Sequence, residues 1–140
     1  MYNSLQESLR SSGYSLTAAR KVLFKVLLES EPMSMKNILI KCQGVDRASI
    51  YRNIELFEQL GIVRRLTIGW RYKLELSDQF VAHHHHLSCL NCGKVIDIQD
   101  EKHIDNFIQE VTSQFGFMPT RHQFEIEGSC KDCQNKKTTS

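Results

Sequence analysis

The chain has 140 residues, of which 41% are hydrophobic, enough for one ordinary domain or two small ones that need extra stabilisation. It contains neither an apolar run of about 18 residues nor a charged start followed by an apolar leader, so we expect no membrane span, no secretory signal and a cytoplasmic location. In a reducing cytosol, five cysteines that include two Cys-x-x-Cys pairs indicate metal binding more than disulfides.

The net charge of +2 is unevenly distributed. Residues 1–82 hold 12 Lys/Arg against 8 Asp/Glu, whereas residues 83–140 hold 6 against 8. A basic first half is compatible with nucleic-acid binding, and equally with ordinary scatter.

Helix signals follow one another closely in the first half. Residues 2–11 predict a short helix, Thr17 is a suitable N-cap for the apolar run AARKVLFKVLLES, and Ser34 is one for MKNILIKC. A further helix is predicted from Asp46, as N-cap, to Gly61, as C-terminal stop. Four of its residues recur at helical spacing and should face the core: Ile50, Ile54, Phe57 and Leu60.

The other side of that helix is polar. Its side chains can donate hydrogen bonds to phosphates and base edges, so we predict a DNA-binding face, although a solvated polar face would show the same pattern. The residues are Arg47, Ser49, Tyr51, Arg52 and Asn53.

The stretch IVRRLTIGWRYKLEL alternates apolar and polar residues around Ile68-Gly69, and therefore predicts two antiparallel strands. Helices followed by a β-hairpin form the winged helix-turn-helix plan, with Arg64, Arg65 and Arg71 on the wing. We assign this domain to residues 1–76.

The second half is α+β. Residues 77–82 are a hinge, residues 83–134 a small metal-binding domain and residues 135–140 a disordered tail. Strands are predicted in HHHHLSC, KVIDIQ and RHQFEIEG, and a helix in EKHIDNFIQEVTSQF. So small a domain would gain from a metal or a partner subunit.

Cys89, Cys92, Cys130 and Cys133 form two Cys-x-x-Cys turns, each of which presents two sulfurs to one tetrahedral zinc. Two redox pairs or four free thiols are the alternative. Cys42, alone in a helical segment, is expected to be a buried small residue.

The histidine run, four consecutive histidines at residues 83–86, requires another explanation, because four cysteines complete a zinc site. In a strand, His83 and His85 would point to one face, and His84 and His86 to the other. Three further residues could complete mixed sites for Zn(II), Fe(II), Mn(II), Ni(II) or Co(II): Asp97, Asp105 and His122.

The motifs GYSLTAAR, ASIYRNIELFEQLGIV, HHHHLSCLNCGKVIDI, FGFMPTRHQFEIEG and CKDC, in that order, closely resemble the ferric uptake regulator family of metal-sensing bacterial repressors. The resemblance implies a winged-helix DNA-binding domain, a hinge and a C-terminal dimerisation domain whose structural zinc is held by the four cysteines.

The resemblance also implies two further sites. One contains His83, His85, Asp105 and His122. The other is the sensing site, with His84, His86, Asp97 and a hinge carboxylate, for which Glu75 and Asp78 are both candidates. Many iron and peroxide sensors have a histidine just before the helix that starts at Ser34, where this chain has Pro32 and Met33.

The sequence thus predicts a homodimeric, metal-dependent repressor that binds double-stranded palindromic operator DNA, with structural zinc and a regulatory divalent metal, zinc or Fe(II). A peroxide-sensing regulator of the same family is the alternative. A zinc-buffering or metal-storage protein and a zinc hydrolase are rivals of other classes; no nucleophile-plus-base pairing supports an enzyme.

Overall fold

A computed structural model describes residues 1–98 and 101–137. The chain divides into two compact units, Met1–Ala82 and His83–Ser140. The first unit contains α1 (Tyr2–Ser11), α2 (Ala18–Leu28), α3 (Met35–Lys41), α4 (Arg47–Gln59), β1 (Val63–Ile68) and β2 (Arg71–Leu76). The second contains β3 (His85–Cys89), β4 (Val95–Ile98), α5 (Glu101–Gln114), β5 (Glu125–Gly128) and α6 (Lys131–Lys137). The predicted α+β class is confirmed. None of the helices in the described ranges is long and apolar enough to cross a membrane.

The three predicted N-caps begin the helices expected of them. The side chains of Thr17 and Ser34 each accept a hydrogen bond from a backbone N–H at 3.3 Å, and Asp46 accepts one from Ser49 N at 3.0 Å. Each bond satisfies an N–H that the first helical turn leaves without a partner, which is why the helices start there.

An apolar core holds the first unit together. Phe24 and Phe57 are fully buried at its centre, and the predicted inward face of α4 is confirmed, with Ile50 and Ile54 buried and Leu60 at the edge. Residues 77–82, the predicted hinge, cluster with this unit, and Phe80 packs edge-on against Phe24 with ring centroids 5.3 Å apart.

The predicted hairpin is present, and its turn is one residue later than expected. Ile68 pairs with Arg71, so that Gly69 and Trp70 form the turn. Gly69 has φ +59°, the positive value that a type II′ turn requires at its first central residue, and only glycine adopts it without strain.

The second unit is a three-stranded sheet in the order β4-β3-β5. β3 pairs antiparallel with β4 and parallel with β5, and α5 lies in the connection that the parallel pairing requires. The strands are shorter than predicted: β3 begins at His85 and β5 at Glu125, while Gln99, the end of the predicted KVIDIQ strand, lies outside the described residues.

The C-terminal helix α6 was not predicted. It extends to Lys137, past position 135 where we expected a disordered tail, so the tail prediction is wrong for residues 135–137. Residues 138–140 lie outside the described residues. The helix forms because Gln134 N donates to Cys130 O at 3.0 Å and its side chain donates to Ser129 O at 2.7 Å, so the second cysteine pair starts a helix.

Candidate metal sites and nucleic-acid interface

The four cysteines of the two Cys-x-x-Cys pairs come together in the second unit. Cys89 ends β3, Cys92 lies in the following turn, and the second pair spans the start of α6. All four sulfurs lie within 4.8 Å of one another, and Sγ of Cys92 and Cys130 are 3.8 Å apart. Zinc–sulfur bonds of about 2.3 Å in a tetrahedron place sulfurs about 3.8 Å apart. The cluster therefore fits a structural zinc.

Without a cation, the hydrogen bonds at the cluster favour deprotonation of one cysteine and oppose deprotonation of all four. The backbone N–H of Cys130 donates to Sγ of Cys89 at 3.3 Å, and this bond is the main reason that the pKa of Cys89 falls to about 6. The pKa of Cys133 rises to about 12, chiefly because its thiol is hydrogen-bonded to Cys130. Full deprotonation thus needs a cation among the sulfurs, which zinc would supply.

A second group gathers three histidines and one carboxylate: His83, His85, Asp105 and His122. Nε2 of His122 lies 2.9 Å from Nε2 of His83, 3.4 Å from Nε2 of His85 and 3.7 Å from Oδ1 of Asp105. Zinc–nitrogen bonds of about 2.1 Å would separate the nitrogens by about 3.4 Å, so a single cation fits among these atoms.

His85 is the buried member of this group, with 2% of its surface exposed. Burial is the main cause that lowers its pKa, and the nearby His83 and His122 lower it further. A hydrogen bond with the backbone of Phe124 orients the ring while Nε2 faces His122. A neutral imidazole held by an outer hydrogen bond is the form in which histidine binds metals.

The other two histidines of the run contact each other. The rings of His84 and His86 lie 4.6 Å apart, as those of His83 and His85 lie 4.7 Å apart, so the alternation of faces holds although β3 begins only at His85. Asp97 pairs with His86 across the sheet, and its Oδ1 lies 3.5 Å from Nε2 of His86. The predicted sensing residues of the second unit are therefore neighbours.

Both candidate hinge carboxylates contact one arginine within the first unit. Nε of Arg64 donates to Oε1 of the buried Glu75 at 2.7 Å, and its Nη1 lies 3.2 Å from Oδ1 of Asp78. The sequence placed Arg64 on the wing as a basic residue. The observed register instead puts Arg64 directly opposite Glu75, so its charge is paired with carboxylates of its own chain.

The predicted DNA-binding face of α4 divides into two sets. Arg47, Tyr51 and Arg52 are exposed, with the Arg47 guanidinium carbon 5.9 Å from the centroid of the Tyr51 ring. Ser49 and Asn53 are half-buried and engaged within the protein: the Ser49 hydroxyl donates to Asp46 at 2.6 Å, and Oδ1 of Asn53 accepts from Arg20 at 3.0 Å. Arg52 also makes such a bond, since its Nη2 donates to the Ser49 hydroxyl at 3.1 Å, but its exposure leaves it, like Arg47 and Tyr51, the more accessible to a ligand.

Sequence reasoning missed two arginine contacts in the first unit. Arg20 joins the start of α2 to α4 through Asn53. Arg65 makes a two-pronged ion pair with Glu58 of α4, and its guanidinium lies 4.2 Å from the centroid of the Tyr72 ring. The hydrogen bond to Glu58 is the main cause that raises the pKa of Arg65. Opposite charges could have suggested Glu58 as a partner of Arg65, but many other pairings were equally available, and no charge marks Asn53 as the partner of Arg20.

Four helices and a β-hairpin with a basic, exposed helix face, together with a cysteine cluster and histidine–carboxylate groups, define a metal-binding DNA regulator of the winged-helix class. The model of the ferric uptake regulator family matches residues 11–127, and the chain belongs to this family of metal-responsive transcriptional repressors.

Relatives by sequence and by structure agree with this assignment. The "Peroxide-responsive repressor PerR" of Staphylococcus aureus (strain USA300) is 32% identical over 139 residues, which cover 92% of this chain and 88% of the relative. The ferric uptake regulator of Helicobacter pylori, described as having three functional metal-binding sites, superposes with a TM-score of 0.77 at 26% identity over 95% of this chain and 91% of its own. That of Vibrio cholerae gives a TM-score of 0.70 at 26% identity, over 90% and 99%.

Proposed function

We propose that this protein is a homodimeric repressor that binds a palindromic operator when a divalent metal is held by His84, His86, Asp97 and Glu75. The observation that carries the proposal is the position of the two histidines, whose rings meet beside Asp97 on β4. Glu75 supplies a buried carboxylate oriented by Arg64, eight residues before the second unit begins at His83. Metal bound by both units would favour one arrangement of the DNA-binding domains.

Zinc is the regulatory metal we favour, with Fe(II) as the alternative. Imidazole suits both ions, and a zinc site needs only four ligands, which these residues supply without the upstream histidine that Pro32 and Met33 replace. The group of His83, His85, Asp105 and His122 would be an additional site, and the four cysteines would hold structural zinc. Three sites per chain is also the number in the description of the Helicobacter pylori relative.

DNA binding is assigned to the exposed set on α4. Arg47 and Arg52 offer guanidinium groups that can contact phosphates or guanine, and Tyr51 lies between them on the same face. Palindromic operators follow from a dimer whose two copies present this helix symmetrically. Dimerisation is supported by the apolar side chains that α5 and the next residues expose: Phe107, Val111, Phe115, Phe117 and Met118.

The histidine run provides a matched test. We expect the double substitution His84→Ala and His86→Ala to abolish metal-activated binding to duplexes selected from a random library, while zinc at the cysteines and the dimer are retained. A shift from mostly open to mostly closed requires a preference of about 5 kcal/mol, most of which two lost ligands would remove. Gel retardation with and without metal measures it.

The pair His83→Ala and His85→Ala is the control, because it lies on the opposite face of the same run. It should reduce metal-activated binding less. Equal damage by both pairs, or greater damage by the control pair, would mean that the sensing site is assigned to the wrong face.

Peroxide sensing is a second candidate, favoured by the similarity to the Staphylococcus aureus repressor. Iron can exchange electrons with peroxide, whereas zinc is redox-inert. Hydrogen peroxide therefore discriminates the two functions: release of DNA from the Fe(II)-loaded protein and not from the zinc-loaded protein would support peroxide sensing, and no release from either would support metal sensing.

A further inference from the structure

The tip of the β1–β2 hairpin carries the single tryptophan of the chain, and Trp70 is 91% exposed. It is the second residue of the two-residue turn after Gly69, and the Arg71 guanidinium carbon lies 5.5 Å from the centroid of its ring. A large aromatic side chain held almost wholly in water at the end of a hairpin gives the first unit no packing energy. Its place at the tip therefore suggests that it contacts a ligand.

The hairpin is fixed to α4 by Arg65. The guanidinium of this β1 residue binds both carboxylate oxygens of Glu58 on α4, and it also stacks on Tyr72 of β2. Both strands are thereby tied to the helix that carries Arg47 and Arg52. When α4 lies on a surface, the position of Trp70 relative to that surface is set by the same contacts.

The reach of the hairpin matches the spacing of DNA grooves. Six residues per strand extend about 20 Å from the end of α4. Adjacent major and minor grooves are about half a helical repeat apart, roughly 17 Å. With α4 in the major groove, the tip of the hairpin can reach the neighbouring minor groove.

We propose that Trp70 is a wing-tip contact to duplex DNA, with its indole ring against a base step in the minor groove beside each half-site and Arg71 at the groove edge. The groove is about 6 Å wide, too narrow for two strands, so a side chain at the tip is the part of the hairpin that can enter. Apolar wedges and arginines are the side chains that minor grooves accept. The proposal rests on the proposed function, in which α4 occupies the major groove.

The single tryptophan allows a direct test on the full chain loaded with zinc. Its emission reports Trp70 alone, and acrylamide is a neutral quencher that the charge of DNA does not exclude. We expect strong quenching of the free protein and much weaker quenching once a duplex selected from a random library is bound. The quenching of the zinc-loaded protein without DNA should equal that of the metal-free protein.

Substitutions distinguish the apolar contact made by Trp70 from the electrostatic contact made by Arg71. Trp70→Ala should weaken duplex binding about tenfold with an unchanged salt dependence, whereas Trp70→Phe should restore most of the affinity. Arg71→Ala should instead lower the slope of log affinity against log salt by about 1. Thr67→Ala, an exposed neutral position on the same hairpin, is the control and should change neither. The effect of Trp70→Ala should be largest on duplexes with a flexible TA or CA step beside the half-site.

Each outcome decides the proposal. Unchanged quenching in the DNA complex, together with unchanged affinity of Trp70→Ala, would overturn it and leave the proposed function intact. Protection of Trp70 by metal or protein concentration without DNA would assign the tip to a protein contact instead. Absence of duplex binding with any divalent metal would overturn the proposed function and this inference together.

Discussion

The two units of this protein are stabilised in different ways. The first buries large apolar side chains from all four helices and both strands, among them Leu5, Phe24, Ile38 and Phe57, each with 0% exposure. In the described part of the second unit, the buried residues are one cysteine, two histidines, one serine and one glycine: Cys89, His85, His86, Ser88 and Gly93. The first unit thus has an extensive apolar core, whereas the interior of the second consists largely of potential metal ligands.

The apolar residues of the second unit lie instead on its surface. Phe107 is 64% exposed, Phe115 81% and Met118 86%. Below about 70 residues, a domain rarely buries enough apolar area to fold on that basis alone, and metal ions or subunit contacts make up the difference. The first unit therefore has an apolar core of its own, whereas the second would gain stability from a structural zinc and from a surface that covers its exposed side chains.

Loss of the structural zinc should produce the largest difference in stability between the two units. We expect Cys92→Ser to lose zinc from the cysteine site and to unfold the second unit, because the remaining thiols cannot satisfy a tetrahedral ion. The first unit should unfold at its original temperature. Calorimetry, zinc content and sedimentation measure these outcomes. Cys92 is exposed, so the substitution itself removes no core packing.

Cys42→Ala is the matched control, since Cys42 is buried in the first unit. It should destabilise that unit and leave the zinc content unchanged. A Cys92→Ser protein that remained a dimer with zinc still bound at this site would show that the cysteines do not form a structural site.

Replacing a phenylalanine by alanine should affect the stability of the two units differently. Phe24→Ala empties the centre of the first core and should lower its free energy of unfolding by about 3–5 kcal/mol, independently of protein concentration. Phe107→Ala removes an exposed ring and should leave the isolated chain nearly as stable, while it weakens self-association. Thermal unfolding at two protein concentrations distinguishes them. A concentration-independent loss of several kcal/mol at Phe107 would place that ring in a core and end the comparison.

Local signals predicted the first unit well. Capping side chains and helical periodicity depend on neighbours within a few residues, so Thr17, Ser34 and Asp46 could be placed from the sequence alone. The alternation of the histidine run likewise follows from extended backbone. The family resemblance supplied what local signals could not, namely that His83 and His85 share a site with the distant Asp105 and His122.

The carboxylate partner of Arg64 could not be predicted, because it depends on the register of the hairpin. A turn at Ile68-Gly69 would set Arg64 opposite Lys73, whereas the observed turn sets it opposite Glu75. One residue in the turn thus decides whether Arg64 is available to DNA or bound to a carboxylate. The α6 helix was missed for a related reason: its first turn is organised by contacts of Gln134 with Ser129 and Cys130, not by an apolar face.

Acidification should affect the two units differently, and this is the smallest effect we expect. Burial, followed by the charges of His83 and His122, lowers the pKa of His85 below the ordinary histidine value of 6.5. Between that value and the lower folded pKa, the unfolded chain takes up a proton that the folded chain refuses, so the second unit loses stability as pH falls through this window. In the first unit, the lowered pKa of Asp46, caused mainly by its hydrogen bond from the Ser49 side chain, affects stability only near and below pH 3.8.

The test is chemical denaturation, from pH 7.5 to 5, of protein that retains only structural zinc. The free energy of unfolding of the second unit should decline over this range, and His85→Gln should remove the decline. His103→Gln, an exposed histidine on α5, should preserve the decline, and a decline that survives His85→Gln would trace the sensitivity to another group.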